Sequence, residues 1–281
     1  MKSLPTSLPR SKSGALDARD LRRAFIKELR RILRRTAHDS GSRHVHAVRK
    51  DITKLRSWLR LARELIGPRR FQKHNRQLRR AARALAPIRD ARVMPATFEA
   101  ISSGSSFPRT DQRLRKQGRC AKTSLPAAMR KVNHRLKKEL AASKQLPLEK
   151  ITVADFAAAL ERMRGEMEAA AAAARVSGSM ESLHTWRKRT KNYLHALAFV
   201  EGQKHRHYRA AARINHLLGE DHDLALLAAE TTICSAKTTI SRCWRRRQLP
   251  SAINRKATRC WPRLPGGARN CRRNFLQSDG Q

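Results

Sequence analysis

Leu21, Phe25, Leu29 and Leu33 recur every four residues, which stacks them on one face of a helix beginning near Leu16. Arg22, Arg23, Arg30, Arg31 and Arg34 surround that stripe and read as a solvated face. Asp39-Ser40-Gly41-Ser42 interrupts the pattern and offers a serine N-cap to a second helix, which Gly67-Pro68 ends. On this second helix Val48, Ile52, Leu55, Leu59, Ala62 and Ile66 share one face. His46, Arg49, Lys50, Thr53, Lys54, Arg56 and Arg60 share the other. A third helix is predicted over Phe71 to Ala86, and a fourth after Pro87, kinked at Pro95. Further helices are predicted over Ala127–Ser143, Val153–Arg175, Lys204–Leu218 and Asp221–Glu230, with Ser177-Gly178-Ser179 closing one helix and capping the next. Sustained alternation of strand type is missing, so the expected fold is all-α.

The helix that follows Ser179 repeats the second one. HAVRKDITKLRSWLRLAR at His46–Arg63 is matched by HTWRKRTKNYLHALAFV at His184–Val200. Arg187, Lys188, Lys191 and His195 lie on the histidine side of the second copy, with Trp186, Tyr193, Leu197 and Val200 opposite. The flanks repeat as well: Arg76 aligns with Arg209, Arg80 with Arg213, Arg89 with His222, and Asp90 with Asp223. A duplicated four-helix unit is the simplest architecture. Ser102-Ser103-Gly104-Ser105-Ser106 before Pro108 is the expected seam, dividing the domain into halves of about 16–102 and 107–230. Residues 1–15 read as a flexible lead-in. Residues 231–281 read as an irregular basic tail that does not pack.

Charge sharpens this picture. The 281 residues carry 63 Lys and Arg against 22 Asp and Glu, a formal net charge of +41. Self-repulsion on that scale opposes compaction unless an anion neutralises part of it. Apolar content of 40% still allows a substantial core. The opening MKSLPTSLPRSKSG has no apolar signal core, and no apolar run approaches a membrane span, so a cytoplasmic protein without membrane contact is expected. The five cysteines, Cys120, Cys234, Cys243, Cys260 and Cys271, lack zinc-site spacing and read as reduced thiols; neither a metal nor another cofactor is expected.

The two histidine-led ladders, His46-Arg49-Lys54-Arg56-Arg60 and His184-Arg187-Lys188-Lys191, in register with Arg89-Asp90 and His222-Asp223, resemble the CHAD family, the conserved histidine α-helical domain. The resemblance covers about residues 17–230. It implies two pseudo-symmetric four-helix bundles lining a basic central groove or pore that binds inorganic polyphosphate, in proteins associated with polyphosphate granules. The chain departs from the family where Asn192, Leu194 and His195 replace part of the second ladder, which predicts fewer fixed charges and more pH sensitivity there. It departs again beyond the Asp223 helix, where no further amphipathic period follows. The E-x-E-x-K signature of the hydrolase modules sometimes fused to such domains is absent, and no enzyme activity is expected.

Helix neighbours three and four apart stand about 5–6 Å from each other, so successive rungs can engage nearby phosphates of one chain. Arginine forks bind phosphate oxygens in pairs, whereas Lys50, Lys54, Lys188 and Lys191 act as less directional charges. A lone histidine near a helix start reads as structural; the duplication of His46 and His184 favours contact with the anion. Asp90 and Asp223 read as carboxylates that orient arginines rather than as metal ligands. Arg76, Arg80, Arg209 and Arg213 are expected to form second rows. Nucleic acid, bound at low salt, stands as the alternative partner, although aromatics are only 5% and Trp186 and Tyr193 face the core side, leaving no stacking platform for bases.

Overall fold

The computed structural model describes residues 18–37, 43–102 and 108–231, which are helical and hold no strand. Helix α1 spans Ala18–Ala37, α2 Arg43–Leu61 and the short α3 Arg63–Ile66; α4 spans Pro68–Ala84, α5 Ala86–Ser102 and α6 Pro108–Ser143. A 3-10 turn at Leu148–Lys150 leads to α7 over Val153–Ser177, α8 over Met180–Val200 and α9 over Arg206–Thr231. The expected serine cap at 40–42, the seam at 103–106, the lead-in and all but the first residue of the 231–281 tail lie outside the described residues.

Local chemistry explains the breaks. Gly67 takes a left-handed φ of 78°, and Pro68 then starts α4, where a missing N–H costs nothing. Gly178, at φ 57°, closes α7, and the Ser179 hydroxyl accepts from the Ser182 N–H at 3.2 Å to start α8. Thr152 and Asp155 cap α7 reciprocally. One expectation is corrected: the segments Lys204–Leu218 and Asp221–Glu230 are a single continuous helix, α9. Gly219 lies within it, at a cost of about 1 kcal/mol relative to alanine. The corresponding stretch of the first half does break, at Leu85, because Pro87 has no N–H for the carbonyl four residues back.

Helices α1, α2, α4 and α6 pack in a closed ring, α1 on α2, α2 on α4, α4 on α6 and α6 on α1. Thus α6 follows the serine-rich stretch in sequence yet packs with the helices before it. In the other group α8 lies between α7 and α9. The groups meet where α2 packs on α8 and α5 on α9. The apolar face predicted for α2 is the core: Val48, Ile52, Leu55, Leu59 and Ala62 are fully buried alongside Leu21, Phe25 and Leu29. Truncating one such leucine to alanine costs about 2–5 kcal/mol. Trp186, Tyr193, Leu197 and Val200 are likewise buried.

Two buried polar ties pin the first group. Glu28 and Asp51, each 6% exposed, share Arg31, which lies 2.9 Å from Asp51. Arg35 also pairs with Asp51, and Lys54 stands 3.7 Å from Glu28. Between α4 and α6, His74 Nδ1 lies 2.8 Å from Glu139 Oε1, and the Ser143 hydroxyl donates to the Glu139 carbonyl at 2.7 Å.

Candidate polyanion-binding site

The two histidine helices cross where Trp58 of α2 meets the histidine side of α8. The Trp58 indole N–H of α2 donates to the His195 carbonyl of α8 at 3.3 Å, and its ring lies 5.1 Å from that of Phe199. This crossing leaves the cationic sides of α2 and α8 facing a shared space that α5 and α9 border. At its middle Arg89 of α5 donates to Asp90 at 3.0 Å and to Asp223 of α9 at 2.7 Å, an ion-pair clasp linking residues 134 apart. Both carboxylates therefore orient Arg89. His222, beside Asp223, stacks on His184 with ring centroids 4.7 Å apart.

Electrostatic coupling identifies what else shares this space. The Lys191 ammonium is pulled down to about 8, first by desolvation and then by repulsion from Arg187, Arg49 and Arg89. Desolvation and repulsion from Lys191, Arg89, Lys50 and Arg49 lower His46. His184 is lowered by desolvation, Lys188 and Arg187, and His222 is lowered to about 4 by desolvation, then Arg187 and His184. Desolvation likewise lowers Arg49 and Arg187, while Asp90 and Asp223 respectively oppose it. Arg49 is held by its hydrogen bond to the Ala82 carbonyl of α4 at 2.8 Å. Arg187 Nε and His184 Nδ1 are buried without a hydrogen-bond partner among the described residues.

Of the residues expected from sequence, His46, Arg49, Arg89, Asp90, His184, Arg187, Lys191 and Asp223 thus come together. Lys50 and Lys188 lie exposed at the margin. Lys54 is already engaged: Glu28 of α1 stands 3.7 Å from its ammonium, which lies over the Trp58 ring at 4.6 Å. Arg56 and Arg60 form a second basic group further along α2. Arg56 Nε donates to Asn75 at 2.9 Å, with Arg79 and Arg83 of α4 close enough to lower it after desolvation. Arg60 donates to the Arg56 carbonyl at 2.8 Å and is lowered to about 10 by desolvation, then Arg56 and Arg189. His195 corrects one expectation: desolvation, with Lys191, Lys50 and Lys54, holds it at about 3, so it is neutral at physiological pH and adds no pH sensitivity there.

Arg76, Arg80, Arg209 and Arg213 are exposed. On α4 the side turned to Arg56 carries Asn75, Arg79 and Arg83, one helical step away from Arg76 and Arg80. Sequence reasoning passed over Arg79 and Arg83. The signal was there, because Asn75, Arg79 and Arg83 recur at intervals of four. The alignment instead drew attention to Arg76 and Arg80 through their counterparts on α9. His222 was aligned with Arg89 but not assigned to the site.

A family model described as the CHAD domain matches residues 19–231. The chain belongs to the CHAD family. A solved CHAD domain, from the plant Ricinus communis, matches with a TM-score of 0.63 at 17% identity, over 90% of this chain and 97% of that one. At that identity the likeness shows the CHAD fold alone. None of the curated proteins compared with the chain matches it. No described helix of this CHAD protein is long and apolar enough to cross a membrane.

Proposed function

We propose that this protein binds inorganic polyphosphate, without cleaving it, in the space between α2, α5, α8 and α9. The observation that carries the reading is the convergence of Arg49, Arg89, Arg187 and Lys191 in one partly desolvated space, where burial first and then repulsion from the three arginines depress Lys191 to about 8. Cations placed so close require an anion with several charges. A linear phosphate polymer supplies about one per unit and accepts hydrogen bonds from every side. The partnerless Arg187 Nε and His184 Nδ1 offer donors to such acceptors. The family's association with polyphosphate agrees with this chemistry, and placement at polyphosphate granules follows as part of the reading.

Competition decides between polymers. Long-chain polyphosphate and single-stranded RNA of equal total charge are titrated against each other over a range of salt, because counterion release makes both salt-dependent. Polyphosphate is expected to win at about 150 mM salt. RNA winning or drawing level would overturn the proposal. Incubation with polyphosphate and Mg²⁺ or Mn²⁺ is expected to leave chain length unchanged, and shortened chains would make the protein a hydrolase.

A further inference from the structure

Among the described lysines only Lys54 and Lys191 are not exposed. The two are held differently. Lys54 has the Glu28 carboxylate 3.7 Å from its ammonium and the Trp58 ring beneath it. No ion pair among the described residues engages Lys191. Its surroundings are guanidiniums instead: Arg187 lies one turn before it on α8, and Arg49 of α2 and Arg89 of α5 act on it from the neighbouring helices, with Asp223 of α9 opposing them. Lys50 and Lys188, the other lysines of the centre, stand exposed at its margin.

An amine set among arginines combines two chemistries. The guanidiniums seat a phosphate group through paired, charge-assisted hydrogen bonds, and Arg187 Nε is a buried donor still without a partner on the same stretch of α8. The amine beside them is a nucleophile once it has lost its proton. Desolvation first, then the three arginines, hold Lys191 at about 8. At pH 7.4 a lysine of ordinary value has about one free amine in a thousand, whereas Lys191 has about one in five. An acyl phosphate matches both halves of this arrangement, because its electrophilic carbon is joined to the phosphate through a single oxygen. Its phosphate brings at most two negative charges against three guanidiniums, so the amine keeps cationic surroundings with the ligand bound.

We propose that Lys191 is a modification site for small acyl phosphates: Arg49, Arg89 and Arg187 seat the phosphate, the Lys191 amine takes the acyl group, and the amide so formed closes the centre to polyphosphate. The inference rests on reading these cations as a phosphate site. The free amine attacks the carbonyl carbon and a C–N bond forms. The bond from that carbon to the bridging oxygen breaks, phosphate leaves with the electron pair, and the proton lost from nitrogen passes to it. No further co-reactant is needed. Holding the phosphate beside the amine makes the encounter effectively intramolecular, which the exposed Lys50 and Lys188 lack. Acylation removes one positive charge from the middle of the site and leaves an uncharged amide in its place. The modification thereby links occupancy of the centre to the supply of activated acyl groups.

The test incubates the full chain with acetyl phosphate, or with acetic anhydride, which carries no phosphate, and reads acetylation at each lysine by mass spectrometry. With acetyl phosphate Lys191 is expected to react at least about tenfold faster than Lys50 and Lys188, and with the anhydride that preference should shrink severalfold. Equal rates at the three lysines, or the same preference with both reagents, would overturn the proposal. The consequence is read on Lys191→Arg, which keeps the charge and takes no acyl group. Treatment with acetyl phosphate should lower the affinity of the unaltered protein for polyphosphate by roughly tenfold and that of the variant by less than about twofold. Equal losses in the two proteins would assign the effect to exposed lysines and overturn the closure. Saturating polyphosphate should protect Lys191 from acetyl phosphate. Selective acetylation of Lys191 in a protein that binds no polyphosphate would instead overturn the polyphosphate reading and leave the acyl phosphate site standing.

Discussion

Helices α2 and α8 begin alike and end differently. Each starts with a histidine followed three residues later by an arginine, and these rungs, His46 with Arg49 and His184 with Arg187, border one space. Beyond them α2 continues as a ladder through Arg56 and Arg60, whereas the aligned positions of α8 are Leu194 and Ala198. Asp51, which ties α2 to α1, is answered in α8 by Arg189, which instead pairs with Glu166 of α7. The inner rungs are shared, and the outer positions have gone to further cations in one copy and to packing in the other. The difference separates two roles that the repeat alone merges: a common centre, and a one-sided basic surface.

The largest expected effect tests that common centre. Arg49→Ala combined with Arg187→Ala should weaken polyphosphate binding by about a hundredfold or more, since each removes a charge-assisted contact worth about 1.5–3 kcal/mol. Circular dichroism should remain helical. The single variants should cost similar amounts by titration calorimetry. A much larger loss from Arg49→Ala would make the first copy, the richer in arginine, the principal contact.

A smaller effect concerns pH, where the two regions should respond in opposite directions. Asp51 is raised to about 6, by desolvation first and then Glu28, from an ordinary value near 3.8. Its contribution is fully present below the unfolded value and is lost as pH rises through about 6. His222, lowered to about 4, contributes stability present above its ordinary value of 6.5 and lost as pH falls towards 4. Hydrogen exchange compared between about pH 5 and pH 7 should therefore show α8–α9 loosening on acidification while the α1–α2 tie tightens. Uniform loosening would dissolve the contrast. Ligand titration carries the same chemistry with the opposite sign for histidine. A bound polyanion raises His46, His184 and His222 from their lowered values, so affinity should grow on acidification, and it should decline above about 8 as Lys191 loses its proton. The smallest change is expected from Arg209→Ala with Arg213→Ala on α9, about threefold for long chains, because contacts between exposed charges are typically worth about 0.3 kcal/mol each.

The fold was legible wherever periodicity and capping agree. The apolar stripes of α1, α2 and α8 are the buried ones, and Gly178-Ser179 is a boundary, because burial and left-handed turns impose a local pattern. The continuity of α9 was not legible, since glycine within a helix and glycine after one look alike until neighbouring packing decides. Nor was the return of α6 to α1 and α4, which depends on contacts far apart in sequence. At the site, facing by helical angle correctly grouped His46 with Arg49 and His184 with Arg187. It could not foresee that Glu28, arriving from another helix, would draw Lys54 away, or that desolvation would silence His195.

The Arg89 clasp carries a consequence for the order of assembly. Asp223 lies 134 residues beyond Arg89, so the second anchor exists only once α9 has emerged from the ribosome. Until then a nascent chain presents the acid-poor α1–α6 with Arg89 held by Asp90 alone. The geometry of the centre is thus completed late in synthesis, after the cation-rich α1–α6 have emerged.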